Sequence, residues 1–514
     1  MPARRPKDPF APGNVRGRPA SVTTGAGAGR NQVGKAPCRP IPHERLDPME
    51  AEFKKRFGVR QRPRLSIKRW YYPHGAHNVS DGGAGLLTPL FITDVLGGNV
   101  GHVGLVTAAG SLASVPASVG WGELSDQAQR RRPFIVAGYL GAGALLVLMG
   151  LCGSLELFIG LSVALGVMSA CSHAVSTLIV TENTEEKRWT RELSAYIWLG
   201  SVGGILGLLA GAVWMEVAGW AYPHGMSMRS LFVLLGITSI VAGLAAGRMV
   251  PEAPAKPFAP RKIDRLIILR GRLMEKTRFL PLWMYRLKYR RGGSLHRIRK
   301  ATVSVPSALR WYYLSVFLLY AGTQTVFTPF PIFLSESAMF PDPYIFAIYL
   351  FNSAASTALY FRAGEWISRL GEKKVLTSVN ALRCALFAGF GAIALMLCPG
   401  MGFSLAVLQS LLLLLMVGSG LLWAFMMLAS TALVSRRAPP ATKGENMGIF
   451  QAVVYASAIL GALAGGGIAL LSGYGPVFFF GAAMVGAGVL MLLANKGLDG
   501  AVENNHDKEW HEPA

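Results

Sequence analysis

Runs of about twenty apolar residues, broken by short polar turns, recur along this chain and leave few folds open to it. A helix rises 1.5 Å per residue, so about twenty residues cross the ~30 Å of a bilayer's hydrocarbon. Twelve runs can be read, near 72–94, 101–121, 133–152, 155–181, 193–217 and 230–250, then near 311–334, 343–362, 375–397, 403–432, 447–472 and 475–495. Hydrocarbon offers a backbone N–H or C=O no partner outside its own segment, so the expected fold is an all-α integral membrane protein. The first run is the least apolar because it holds His74, His77, Asn78 and Asp81. A count by hydropathy alone is expected to miss it and stop at eleven.

Charge sharpens the division. Of 514 residues 52% are hydrophobic and 15% are charged, yet the formal net charge is +23. A soluble domain carries about 25% charged residues. Residues 1–69 hold 17 basic and 5 acidic side chains, and residues 251–310 hold 16 and 3. Residues 496–514 add −3, while the blocks 70–250 and 311–495 together add only +1. The chain thus reads as a basic, largely disordered tail (1–69), a six-helix block (70–250), a basic connector (251–310), a second six-helix block (311–495) and an acidic tail (496–514). A nucleic-acid binder would be charge-rich throughout, so no nucleic-acid partner is expected. The connector mixes Leu266, Ile267, Leu273, Phe279 and Trp283 with many Arg and Lys. That pattern suits helices lying on an anionic lipid surface.

Basic residues in short loops set orientation. Arg130, Arg131, Arg132, Lys187, Arg188, Arg191, Arg362, Arg369, Lys373, Lys374, Arg436, Arg437 and Lys443 all fall on one side, and essentially only Arg229 falls on the other. Both termini and the connector are then cytoplasmic, in a cytoplasmic (plasma) membrane. Cys38, Cys152, Cys171, Cys384 and Cys398 show no disulfide framework and are expected as thiols. No metal-ligand set, nucleophile constellation or phosphate-binding loop is apparent, so neither an enzyme nor a cofactor is expected.

Two connections carry a shared signature. The one after run 2 reads Gly122-Glu-Leu-Ser-Asp126-Gln-Ala-Gln-Arg130-Arg131-Arg132, and the one after run 8 reads Gly364-Glu-Trp-Ile-Ser368-Arg369-Leu-Gly371-Glu-Lys373-Lys374. Both resemble the loop motif of the major facilitator superfamily. The first keeps the Asp but has Gln127 and Gln129 where a basic residue and Gly are usual, and the second has Ser368 for the Asp. Thr190 to Tyr196 leads into a Gly-rich run 5 as Lys443 to Phe450 leads into a Gly-rich run 11, which adds a sign of duplication. The resemblance spans residues 70–495 and implies two six-helix bundles that move a small-molecule substrate by alternating access. It also implies that Asp126, with Arg130 or Arg131, gates one side; the other reading is that these charges only set topology. Drug antiporters of the superfamily often carry an Arg where Ser162 stands and a Gly-Pro pair that run 5 lacks.

Run 1 holds the candidate transport residues. His74, His77, Asn78, Asp81, Gly85 and Thr88 fall on one stripe at 100° per residue. An Asp near the bilayer centre costs ~2.5–3.5 kcal/mol, so it should face an aqueous cavity or a partner. The stripe either binds substrate or protons, or forms an inter-helix hydrogen-bond cluster. Run 4 carries a similar face with Ser169 and His173. The resemblance implies that runs 1, 4, 7 and 10 line a cavity, so a pairing of His173 with Asp81 or His77 is geometrically open. Run 7 places Tyr313, Tyr320, Gln324 and Thr328 on one face ahead of Pro329 and Pro331, which suits solute binding beside a kink, or packing. Asn352, Ser356, Trp423, Met427, Gln451 and Tyr455 are weaker candidates. Arg383, inside run 9, is expected to snorkel to the inner surface.

The expected function is a carrier, proton-coupled or facilitative, of a small polar organic solute, working as a monomer. One alternative is an exporter of amphipathic or lipophilic compounds, which would show a cavity dominated by Met and Trp rather than by the run 1 stripe. The other is a receptor or scaffold with the same fold that transports nothing.

Overall fold

The computed structural model describes residues 67–128, 130–184, 189–252, 307–397, 403–438 and 443–498. The basic tail, most of the connector and the acidic tail therefore lie outside the described residues. Among the described residues no strand occurs. The helices of the first half are α1 (Tyr72–Asp94), α2 (Val100–Ala128), α3 (Arg132–Leu151), α4 (Leu155–Glu182), α5 (Trp189–Ala221) and α6 (His224–Met249). The second half holds α7 (Ser307–Phe327), α8 (Phe330–Glu336), α9 (Asp342–Leu370), α10 (Glu372–Met396), α11 (Leu405–Arg437), α12 (Lys443–Ser472) and α13 (Tyr474–Ala494).

Ten of these spans are long and apolar enough to cross a membrane, with α7 and α8 counted as one, and α9, bent by 56° between Tyr360 and Arg362, makes an eleventh. The helix that fails is α1, whose polar stripe lowers its hydropathy as the sequence led us to expect. The break between α7 and α8 falls at Pro329, which has no N–H to continue the ladder and is followed by Pro331 within the first turn of α8. A single residue, Gly371, joins α9 to α10 with φ of +85°, a conformation in which a Cβ would clash. That geometry gives the Gly of the second loop motif its physical reason.

Helix packing repeats. In the first half α1 packs on α5 and α6, α2 on α4, and α3 on α4 and α6. Each pairing recurs in the second half, with α7 on α12 and α13, α9 on α11, and α10 on α11 and α13. The halves join through α2 with α12 and through α5 with α9, again related by the same repeat. Glycine allows the closest approaches. Gly104 lies against the backbone of Ala462 and Gly466, and Gly211 lies beneath the Phe346 ring. These contacts all sit in the half of the molecule that holds the turns near residues 95–99, 222–223 and 337–341. At the opposite, connector end three polar contacts among the described residues each stay within one bundle. Arg436 pairs with Glu372 at 2.6 Å, Lys373 Nζ donates to Asn495 O at 3.0 Å, and Lys68 pairs with Glu192 at 3.2 Å.

Candidate functional site: a cavity in the C-terminal bundle

Three helices wall a cavity of about 200 Å³: Tyr320 and Gln324 from α7, Trp423, Met427 and Thr431 from α11, and Phe450, Gln451, Val454 and Ala458 from α12. Each helix contributes residues four apart, so one ridge of each faces the space. The Tyr320 hydroxyl lies 3.0 Å from Ser430 Oγ, and its ring meets Trp423 edge-on at 6.1 Å. Gln324 Nε2 donates to Thr328 Oγ1 at 3.2 Å. Tyr313, placed on the same face by the sequence, is buried and donates to Asn446 instead. Asn352 donates to Met416 O and Ser419 on α11 rather than reaching the cavity.

Arg383 departs from expectation. It does not reach the surface but is fully buried on α10. Its guanidinium donates to Thr323 Oγ1 and Met426 Sδ, each at 3.2 Å, and lies 5.4 Å from the Phe387 and Trp423 ring centroids. Its Nε has no hydrogen-bond partner, and no carboxylate pairs with it among the described residues. Snorkelling fails because two aromatic faces and a thioether hold the cation where it stands.

On α1 the stripe turns largely into its own bundle. His74 stacks on Tyr196 of α5 at 3.8 Å, and Asn78 Nδ2 donates to His74 O at 2.8 Å. His77 is buried, stacked on Tyr139 at 4.1 Å, with Nδ1 2.9 Å from Ser239 Oγ. Ser239 gives its single hydroxyl hydrogen to Tyr139 O, so His77 Nδ1 is the donor to Ser239. His77 Nε2 then faces Asp81 Oδ2 at 3.6 Å, and the Asp81 side chain is 35% exposed. Ser169 is half-buried on α4, its carbonyl accepting from Ser172. The side chain of His173 lies outside the described residues, and with it both proposed His173 pairings.

The loop motifs are partly described. Arg131 donates to Ser125 Oγ at 2.7 Å, and Arg130 stands 4.0 Å from Glu252. Gly122 falls within α2, and the side chain of Asp126 lies outside the described residues. Gly364 and Arg369 are exposed. Cys152, Cys171 and Cys384 are free thiols. Sequence reasoning missed Thr431, Phe450, Val454 and Ala458 as cavity residues; for Thr431 alone, the four-residue spacing from Met427 was a usable signal. It also missed Asp94, His224 and Asp342, which meet only in three dimensions.

Two repeated helical bundles built from apolar spans, the second holding a cavity, define the class of fold as a membrane protein of duplicated plan. The family model for the Major Facilitator Superfamily matches residues 76–406, and the chain belongs to that superfamily. No curated protein matches it by sequence. Among solved structures, a mutant of the nucleoside transporter NupG superposes with a TM-score of 0.62 at 13% identity, covering 83% of this chain and 98% of that one. A POT family transporter in complex with 5-aminolevulinic acid gives 0.62 at 13%, covering 84% and 96%. The human organic anion transporter MFSD10 gives 0.53 at 15%, covering 82% and 97%.

Proposed function

We propose that this protein carries a small amphipathic organic anion across the membrane by alternating access of its two bundles. One arrangement supports the cargo class: behind the Trp423 wall of the cavity lies a buried guanidinium, Arg383, without a carboxylate partner among the described residues. Burying a charge costs several kcal/mol unless it is compensated, and the Trp423 and Phe387 faces offset only part of that. An anion in the cavity offsets more. Trp423, Met427 and Phe450 suit an apolar or aromatic body, while Tyr320, Gln324, Thr431 and Gln451 offer a polar handle its partners. No lining residue belongs to α1, which moves the reading from a wholly polar solute towards an amphipathic one. A structurally similar protein is described as an organic anion transporter, in keeping with this class.

The basic loops assign the connector end to the cytoplasm. With the bundles in contact at the other end, this conformation reads as open to the cytoplasm. The full-length protein in proteoliposomes tests the cargo. Monocyclic aromatic carboxylates should exchange, and the matching amines and hexoses should not. Exchange of hexoses without carboxylates would sink the reading.

A second reading, proton coupling, is favoured by the half-exposed Asp81 carboxylate facing His77 Nε2. An intramembrane carboxylate beside an imidazole is a candidate carrier of the coupling proton. An imposed pH gradient should then drive uphill uptake in wild type and not in Asp81→Asn. Identical behaviour of the two proteins removes Asp81 from coupling.

A further inference from the structure

Three side chains distant in sequence converge where the bundles meet. Asp94 ends α1, His224 opens α6 and Asp342 opens α9, so two come from the first bundle and one from the second. His224 Nε2 lies 3.5 Å from Asp94 Oδ2 and 3.3 Å from Asp342 Oδ2, and one ligand atom from each residue lies within 4.8 Å of the others. Zinc binds imidazole nitrogen and carboxylate oxygen at about 2.0–2.2 Å, so neighbouring ligand atoms in its tetrahedron stand roughly 3.3 Å apart. Both measured edges are close to that spacing.

Asp342 supplies an independent sign of a missing partner. Its side chain is 5% exposed, yet Oδ2 accepts no hydrogen bond and has only the 3.3 Å approach of His224 Nε2 among the described residues. A buried carboxylate oxygen without a donor is costly, and a cation answers it directly. Helix ends add to the argument. Asp94 sits at the negative end of α1, where a cation is favoured. Pro223 and Pro341, the caps of α6 and α9, fix the backbone immediately before His224 and Asp342. His224 is 56% exposed, leaving a path for the ion and for a water as fourth ligand.

We propose that Asp94, His224 and Asp342 bind one zinc(II) ion that ties the two bundles together at this end. A nitrogen ligand with two carboxylates suits zinc over magnesium or calcium, which take oxygen ligands in larger number. The consequence for transport rests on the alternating-access reading: zinc holds this end closed and halts the cycle. Metal binding itself does not rest on it.

Calorimetric titration of zinc chloride into chelator-stripped, full-length protein in nanodiscs tests the site without any cargo. One ion should bind per chain, with affinity reduced about 100-fold in His224→Gln and in Asp342→Asn, and magnesium should not compete. Absence of sub-millimolar zinc binding to wild type overturns the site whatever the variants do. Equal binding to wild type and both variants overturns it as well, by placing the ion elsewhere. In proteoliposomes, zinc on the face opposite the connector should block exchange in wild type and spare His224→Gln. Binding without that block overturns the latch. A wild type that exchanges no solute but binds zinc at this trio counts against the carrier reading and for the metal site.

Discussion

Around α1 the N-terminal bundle is filled with polar pairs: His77 with Ser239, His74 with Tyr196, and Tyr71 donating to Glu192 at 2.6 Å. The equivalent region around α7 and α8 holds an aromatic cluster, in which Phe330 meets Phe333, Phe390 and Phe478 at 4.8–5.8 Å, and it holds Arg383 nearby. The backbone plan beneath is nevertheless the same. Gly203 and Gly207 of α5 seat against the carbonyls of Gly75 and Val79 on α1, as Gly461 and Gly465 of α12 seat against Ala321 and Thr325 on α7. Duplication has kept the helix approach and released the side chains. Around α1 those side chains form polar pairs, and around α7 and α8 they form an aromatic cluster beside a cavity wall.

The largest expected effect attacks what the halves share. Gly207→Val puts branched carbons into the Val79 carbonyl and should cost about 3 kcal/mol, read as lost monodispersity and a lower unfolding temperature. Gly465→Val should behave alike. Tolerance of one and not the other would break the equivalence of the bundles. Arg383→Met tests what they do not share. Preference for carboxylates over amines should fall about 30-fold with no loss of thermal stability, since apolar replacement of a buried charge is often neutral or stabilising. Tyr71→Phe should do the reverse, lowering stability by about 1.5 kcal/mol through a lost charge-assisted hydrogen bond while leaving cargo preference intact. The smallest effect belongs to Gly85→Ala on α1, within about 0.5 kcal/mol, because a Cβ there meets nothing within 4 Å.

Helix order, the repeat and the kink at Pro329 were legible because each has a local signature: apolar length, a recurring loop motif, a missing N–H. Tyr320, Gln324, Trp423, Met427 and Gln451 were legible as candidates because polar or aromatic residues in an apolar run stand out. Phe450, Val454 and Ala458 did not, since a cavity wall and a lipid face use the same residue types. Arg383 misled because snorkelling is the common fate of a membrane Arg, and only its aromatic neighbours on other elements reveal another. Asp94, His224 and Asp342 sit at helix ends, where charge is ordinary. Their meeting depends on the contact between bundles, which no local pattern encodes.

The bare backbone contact between Gly104 and Gly466 has a mechanical consequence. Two surfaces without side chains can close flush, so the state in which they touch is set by volume as well as by attraction. Gly104→Val would act as a doorstop, absent from the energetics of any state in which α2 and α12 stand apart. A penalty of ~1–3 kcal/mol for overpacking, borne by one state alone, changes the population ratio by roughly five- to 150-fold. The balance between the two faces of the carrier is thus adjustable by a few methyl groups, far from any cargo.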